Sequence, residues 1–182
     1  MRLRFFLLFL SIVLAGLAPP AWAQTKTALF AGGNFHELQA PFDALPGVAG
    51  TRLGYTGARI ETIEVSYDPG QVSYETLLTT FWRNIDPFAA DGEFCNRGLE
   101  FKAVIYAADA AERQAAQASL DHHQRRFSQT VTVAIEGPAA FTPAEAWHQQ
   151  YYLKNPSKYR FYRLACQRDA RLREIWGGDA PQ

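Results

Sequence analysis

The sequence predicts an α+β fold, a two-layer sandwich of a mixed sheet and helices. Apolar residues recur along positions 24–182 with a period that switches several times between two and about 3.6, so strands and helices share one chain. These elements alternate without the long crossovers of a regular parallel sheet. No repeat, low-complexity tract or Pro/Ser-rich linker interrupts them, and 159 residues suit one domain, residues 24–182, with a substantial core.

The first 23 residues stand apart. Arg2 and Arg4 precede an apolar run from Phe5 to Leu17, and the small residues Ala21 and Ala23 flank Trp22, the pattern of a cleavable secretory signal. The run is shorter than the ~20 residues of a membrane-spanning helix and gives way to Gln24, Thr25 and Lys26. A periplasmic or secreted protein, with no membrane span after signal cleavage, is the expectation. The whole sequence carries 18 basic and 18 acidic side chains; the signal holds two arginines and no acid, which leaves 16 against 18, a formal charge of −2. That balance gives no field for nucleic acid or an anionic membrane. Cys95 and Cys166 are the two cysteines, and an oxidising compartment makes a disulfide between them the default expectation.

The elements follow in order. A strand over Thr27–Ala31 runs into Gly32 and Gly33, and Asn34 stands as N-cap of a helix with Phe35, Leu38, Phe42 and Leu45 at helical spacing, which Pro41 kinks or shortens. A second strand is expected from Gly50 to Tyr55 and a third from Glu61 to Tyr67. Ser73 starts and Asp86–Pro87 stops a helix with the core stripe Tyr74, Leu77, Leu78, Phe81, Trp82 and Ile85. A strand over Phe101–Tyr106 follows, then a helix opened by Asp109 with Glu112 in capping-box position, and a strand over Thr130–Ile135. Thr142, Pro143 and Glu145 carry the signature of another helix start, ended before Pro156. Leu172, Ile175 and Trp176 predict a last short helix. His122 and His123 are expected on a solvated helix face.

The third strand bears on chemistry. Ile63, Val65 and Tyr67 share one face by period two, and Glu61 falls on the same face at its end. A carboxyl buried there has a raised pKa and is a candidate general acid; if the strand frays, it is solvated. Strand parity alone leaves both open.

The series Ala31–Phe35, Leu45–Val48 and Gly54–Gly57 resembles the peptide methionine sulfoxide reductase A family. The resemblance continues through Tyr67–Pro69, Phe81–Trp82, Ile85–Pro87, Phe94–Gly98, Glu145, His148–Gln149, Tyr151, Lys154–Pro156, Tyr162–Arg163, Cys166, Arg168–Asp169 and Trp176–Gly177, nearly the whole of residues 24–182. It implies the family's α+β fold and a peptide-methionine (S)-S-oxide reductase site. In the family a cysteine at a helix N-terminus attacks the sulfoxide sulfur, where the helix favours its thiolate, and becomes a sulfenic acid. A second cysteine resolves it as a disulfide, and a thioredoxin-like donor resets the enzyme.

This sequence departs from that pattern at the chemistry. The resemblance places Asn34 at the nucleophile position, and a carboxamide cannot form a sulfenic acid. His36 stands for a tryptophan of the methyl pocket, whose neighbouring aromatic is kept as Phe35. Asn96 stands for an aspartate and Phe101 for a tyrosine, and the loop before the site glutamate is cut to Ala58, Arg59 and Ile60. Glu61 matches the glutamate that protonates the sulfoxide oxygen, with His148 and Tyr151 near the pocket. The implied site is therefore Glu61 as acid, with Asn34, Phe35, His36, Asn96, Phe101, His148 and Tyr151 as pocket residues.

Three functions are compatible with this pattern. One is a family member without the thiol cycle that binds methionine sulfoxide or an oxidised protein. A second is a reductase whose nucleophile has moved to Cys95, beside Asn96, with a thioredoxin-like reductant; against it, Cys95 and Cys166 match cysteines of relatives that keep the usual nucleophile. The third is a metal-binding protein using His36, Glu61 and His148 for zinc or copper. No cofactor is expected.

Overall fold

A computed structural model describes residues 25–180; the expected signal peptide, residues 1–23, lies outside them. In chain order the elements are β1 (Lys26–Ala31), α1 (His36–Asp43), β2 (Val48–Thr56), β3 (Ile60–Tyr67), α2 (Tyr74–Arg83), β4 (Gly92–Glu93), β5 (Asn96–Arg97), β6 (Val104–Tyr106), α3 (Ala110–Arg126), β7 (Ala134–Glu136), β8 (Phe141–Pro143), α4 (Tyr151–Lys154), α5 (Pro156–Ala165) and α6 (Arg168–Trp176). Six strands form one mixed sheet in the order β7-β6-β1-β3-β2-β8, parallel only between β6 and β7, while β4 and β5 form a separate ribbon. The expected α+β class is the observed one. Among the described residues no helix is long and apolar enough to cross a membrane.

The core lies between the sheet and helices α1 and α2. Register places Phe30 opposite Ile63 and Ile105, and Ile63 opposite Leu53, so one face carries a continuous apolar row. Phe30 stacks on Phe42 of α1 and on Phe81 of α2, with ring centroids 5.3 Å apart in both pairs. On the other face Thr56, Thr62 and Tyr106 bury a small hydroxyl network, with Thr56 donating to Tyr106 Oη at 2.7 Å.

Local signals set many boundaries. Ser73 accepts the Thr76 N–H at the start of α2. Asp109 accepts the Glu112 N–H at 2.8 Å while Glu112 reaches back to the Ala108 N–H at 2.8 Å, a reciprocal cap on α3. Gly33 has φ +77°, and a Cβ there would meet Cβ of Glu93 at 2.5 Å, so only glycine lets the ribbon lie under the β1–α1 turn.

Some expectations change. The strand expected over Thr130–Ile135 narrows to Ala134–Glu136, since Thr132 bonds instead to the carbonyls of Pro87 and Ala89. Thr142, Pro143 and Glu145 open no helix: Phe141–Pro143 pairs as edge strand β8 with Gly54–Thr56 of β2. Gly54 has no Cβ to meet the Thr142 carbonyl, which would lie 2.3 Å away, so sheet pairing prevails over the local start signal. The chain then turns, and Pro156 instead opens α5, a helix the sequence pattern did not reveal. Leu99–Phe101 forms a 3₁₀ turn after Gly98, at φ +123°, and β6 begins only at Val104. His123 is not on a solvated face: its ring packs 4.5 Å from Trp82 and 5.2 Å from Trp176, and burial lowers its pKa to about 4.

Candidate functional site

The site forms where β1 ends, α1 begins and β3 starts, closed over by the segment between β8 and α4. Asn34 precedes the first turn of α1. Its Oδ1 accepts the His36 N–H at 3.0 Å and its carbonyl accepts the Glu37 N–H at 3.0 Å, an Asx turn that leads into α1; the N-cap is Phe35 and not, as expected, Asn34, because the helix starts one residue later. His36 Nδ1 reaches the same Oδ1 at 2.8 Å.

Glu61 lies on the Ile63–Val65 face, opposite Tyr55, and accepts the Phe35 N–H at 3.0 Å. Burial raises its pKa to about 7, against the opposing pull of that N–H and with help from the nearby Glu100 charge. The carboxyl is thus poised between acid and carboxylate near neutrality.

His148 is brought in by Gln149, whose amide pairs with strand β2: Leu53 N–H donates to Oε1 at 2.8 Å, and Nε2 donates to the Leu53 carbonyl at 2.8 Å. Gln39 of α1 accepts the Gln150 N–H at 2.7 Å, fixing the same loop from the other side. His148 Nδ1 then lies 3.0 Å from His36 Nε2, and its Nε2 is 3.6 Å from the Glu145 carboxylate. Burial lowers the pKa of His36 to about 4, with the His148 charge adding to it; His148 is lowered as well, chiefly by burial.

Phe35 is fully covered, its ring 5.0 Å from His148, 4.8 Å from His36 and 5.7 Å from Tyr55; it supports the two imidazoles instead of walling open space. Tyr151 packs on His36 with ring centroids 4.5 Å apart. Asn96 accepts the Tyr162 hydroxyl, and Tyr162 is also within hydrogen-bonding reach of the Asn34 carboxamide, so Asn96 joins the site through a tyrosine. Burial pushes the Tyr162 phenol up to about 12. Phe101 is half-buried in the 3₁₀ turn beside β3; no hydrogen bond or ring contact among the described residues joins it to Asn34, His36 or His148. Cys95, at the exposed tip of the β4–β5 ribbon, is bonded to Cys166, and so both cysteines of the sequence are in one disulfide.

The metal reading is corrected. Among the described residues no three His, Cys, Asp or Glu side chains converge as a metal cage. The inner nitrogens of His36 and His148 face each other, His36 Nδ1 is taken by Asn34, and Glu61 turns to the Phe35 N–H.

Behind α1 lies a buried ionic group that pattern reading missed. Glu37 and Arg168 are each 1% exposed; Arg163 donates to Glu37 Oε2 at 2.8 Å and Arg168 Nε lies 3.5 Å from it. Arg168 also donates to the Asn84 carbonyl and lies over the Phe94 ring. Tyr162 and Arg163 are neighbours on α5, so the network that anchors α5 also sets the Tyr162 hydroxyl in the site. The sequence signal for these residues was the resemblance, which contained Tyr162, Arg163 and Arg168 without giving them roles. Surface cavities of about 750 Å³ beside Arg163 and Asp169, about 690 Å³ between α2 and α3 and about 540 Å³ beside the disulfide are lined by none of Asn34, His36, Glu61 and His148.

Comparison with known proteins agrees with this fold. The family model for peptide methionine sulfoxide reductase matches residues 56–180. The peptide methionine sulfoxide reductase MsrA 2 of Rhizobium meliloti is 34% identical over 178 residues, covering 90% of each chain. MsrA 1 of Lactococcus lactis is 34% identical over 171 residues, covering 84% of this chain and 93% of its own. Of solved structures, methionine sulfoxide reductase A of Corynebacterium diphtheriae superposes with a TM-score of 0.68 at 24% identity, covering 75% of this chain and 77% of that one. Reduced Mxr1 of Saccharomyces cerevisiae gives 0.69 at 19%, covering 74% and 88%, and supports the fold alone. With the model spanning most of the sequence and relatives above 30% identity along almost all of it, the chain belongs to the peptide methionine sulfoxide reductase family.

Proposed function

We propose that this chain is an exported member of the family that binds methionine sulfoxide, free or in an oxidised protein, without the thiol cycle. The observation that carries this reading is the start of α1: where the resemblance calls for the nucleophilic cysteine stands the carboxamide of Asn34, tied to His36, while both cysteines are joined to each other. A carboxamide offers no sulfur to oxidise, and a disulfide offers no thiolate. Glu61 supports retained recognition, because a carboxyl with its pKa raised to about 7 is still partly protonated at neutrality and in that form donates a hydrogen bond to a sulfoxide oxygen. Export rests on the Arg2, Arg4 and Phe5–Leu17 pattern.

The second reading, a reductase using Cys95, has one observation in its favour. Cys95 is exposed and adjoins Asn96, which Tyr162 links to Asn34. Opening the disulfide would need a dithiol donor; the yeast relative Mxr1 has been crystallised with Trx2, and a thioredoxin-like partner fits that role.

A turnover assay decides between them. Purified protein is given each diastereomer of methionine sulfoxide with dithiothreitol or with thioredoxin. The binding reading expects no methionine formed but saturable binding of the sulfoxide. Turnover that disappears in Cys95→Ser, with the fold intact, would establish the second reading.

A further inference from the structure

The hydrogen bonds at Asn34 fix their own directions. The His36 backbone N–H can only donate, so the Asn34 atom facing it at 3.0 Å is the carbonyl oxygen. His36 Nδ1 approaches that same oxygen at 2.8 Å and must therefore carry its hydrogen. In neutral His36 the proton then is absent from Nε2, which accepts from His148, and His148 Nδ1 at 3.0 Å must be the donor. The run is one-directional, from His148 to His36 to Asn34. Its outcome is that the Asn34 –NH₂ group is turned away from both imidazoles. Its N–H donors are thereby left for a ligand, on the side of Asn34 away from the imidazole pair.

We propose that His36 and His148 are positioning residues that hold the Asn34 carboxamide as a hydrogen-bond donor to a sulfoxide oxygen, next to Glu61. This rests on the binding function proposed above and names what the site selects: the polar S=O group, against the thioether that lacks it. A donor held in place by two partly buried rings discriminates because the reduced ligand would leave it unpaired. The rings are held in turn, His148 against Trp147 at 3.4 Å between centroids and His36 against Tyr151.

Two measurements test this. Long-range ¹⁵N–¹H spectra of the free protein at neutral pH should show His36 and His148 both as the Nδ1–H tautomer, the less common form of free imidazole, and finding either as Nε2–H overturns the proposal. For the ligand, N-acetyl-methionine methylamide is titrated as its (S)-sulfoxide and as the thioether. Wild type should prefer the sulfoxide, and Asn34→Asp, which keeps an acceptor for His36 but replaces the –NH₂ by oxygen, should abolish the preference. His148→Phe keeps the stacked ring but removes the Nδ1 donor, and should cut the preference by about fivefold, one uncharged hydrogen bond. His148→Asn, whose amide nitrogen can stand near the position of Nδ1, should restore most of it. A preference unchanged in His148→Phe overturns the positioning role. Failure of wild type to bind either probe, with both rings Nδ1–H, overturns the binding function while supporting the relay.

Discussion

The Glu61 carboxyl accepts the backbone N–H of Phe35 at 3.0 Å and so joins the start of β3 to the start of α1. Its pKa, raised to about 7 by burial, means that the folded protein holds a proton which the unfolded chain releases near pH 4.5. Stability contributed by Glu61 is therefore lost as pH rises from about 4.5 to 7. His36 acts with the opposite sign: with its pKa lowered from 6.5 to about 4, stability is lost as pH falls through that window. Glu61→Gln should remove only the first slope. Between pH 4.5 and 6.5 its urea midpoint should rise with pH more steeply than that of wild type. Parallel profiles would show that Glu61 titrates as an ordinary carboxyl.

The buried ionic group gives a second expectation. Arg168 is 1% exposed, and with Glu37 gone its charge would lose the nearest carboxylate. Glu37→Gln should cost about 3–5 kcal/mol in urea unfolding, the usual loss when one partner of a buried ion pair is removed. Adding Arg168→Met should recover part of it, because much of the cost is the stranded charge and not the missing attraction. A single-variant cost below ~1 kcal/mol would show that water reaches Arg168.

The disulfide closes a loop with a sequence separation of 71 residues. In the chain-entropy treatment that constraint is worth about 4 kcal/mol. Thiol titration of the protein in denaturant without reductant should find almost no free thiol, and reduction should lower the denaturation midpoint. Two readily alkylated cysteines in the untreated protein would remove the disulfide from the native state and favour Cys95 as a nucleophile.

Where local physics decides, the sequence was readable. Asp109 with Glu112, and Ser73, act as the caps their spacing implies, and period two placed Glu61 on the buried face of β3, although only packing against α1 could decide its exposure. The misreadings share one cause. Thr142–Pro143–Glu145 is a good helix start by itself, but Gly54, far away in sequence, opens room for a strand. His123 occupies a polar helix, and its burial depends on Trp82 and Trp176 arriving from α2 and α6. At the site, the resemblance named Asn34, His36 and His148 separately. Their hydrogen-bonded line depends on Gln149 pairing with Leu53, a contact across 96 residues that no local pattern encodes.

The last prediction concerns chemistry restored by substitution. Asn34→Cys would put a thiol at the start of α1, beside the His36 backbone N–H that the Asn34 side chain now occupies, and that N–H with the helix start favours the thiolate. Glu61 would still stand within reach of a bound sulfoxide to deliver a proton as the S–O bond breaks, the thiol becoming a sulfenic acid and the substrate a thioether. Yet the His36 and His148 rings would lose the oxygen that orients them, and the covered Phe35 offers a methyl group no open wall. With dithiothreitol as reductant, Asn34→Cys should therefore show weak but measurable reduction of methionine (S)-sulfoxide, and Asn34→Cys with Glu61→Gln none above background. Equal activity in the two would mean that protonation comes from elsewhere, Tyr162 being the next hydroxyl in line. Turnover by the unaltered protein that survives Cys95→Ser would sink both functional readings, since neither cysteine chemistry nor simple binding accounts for it.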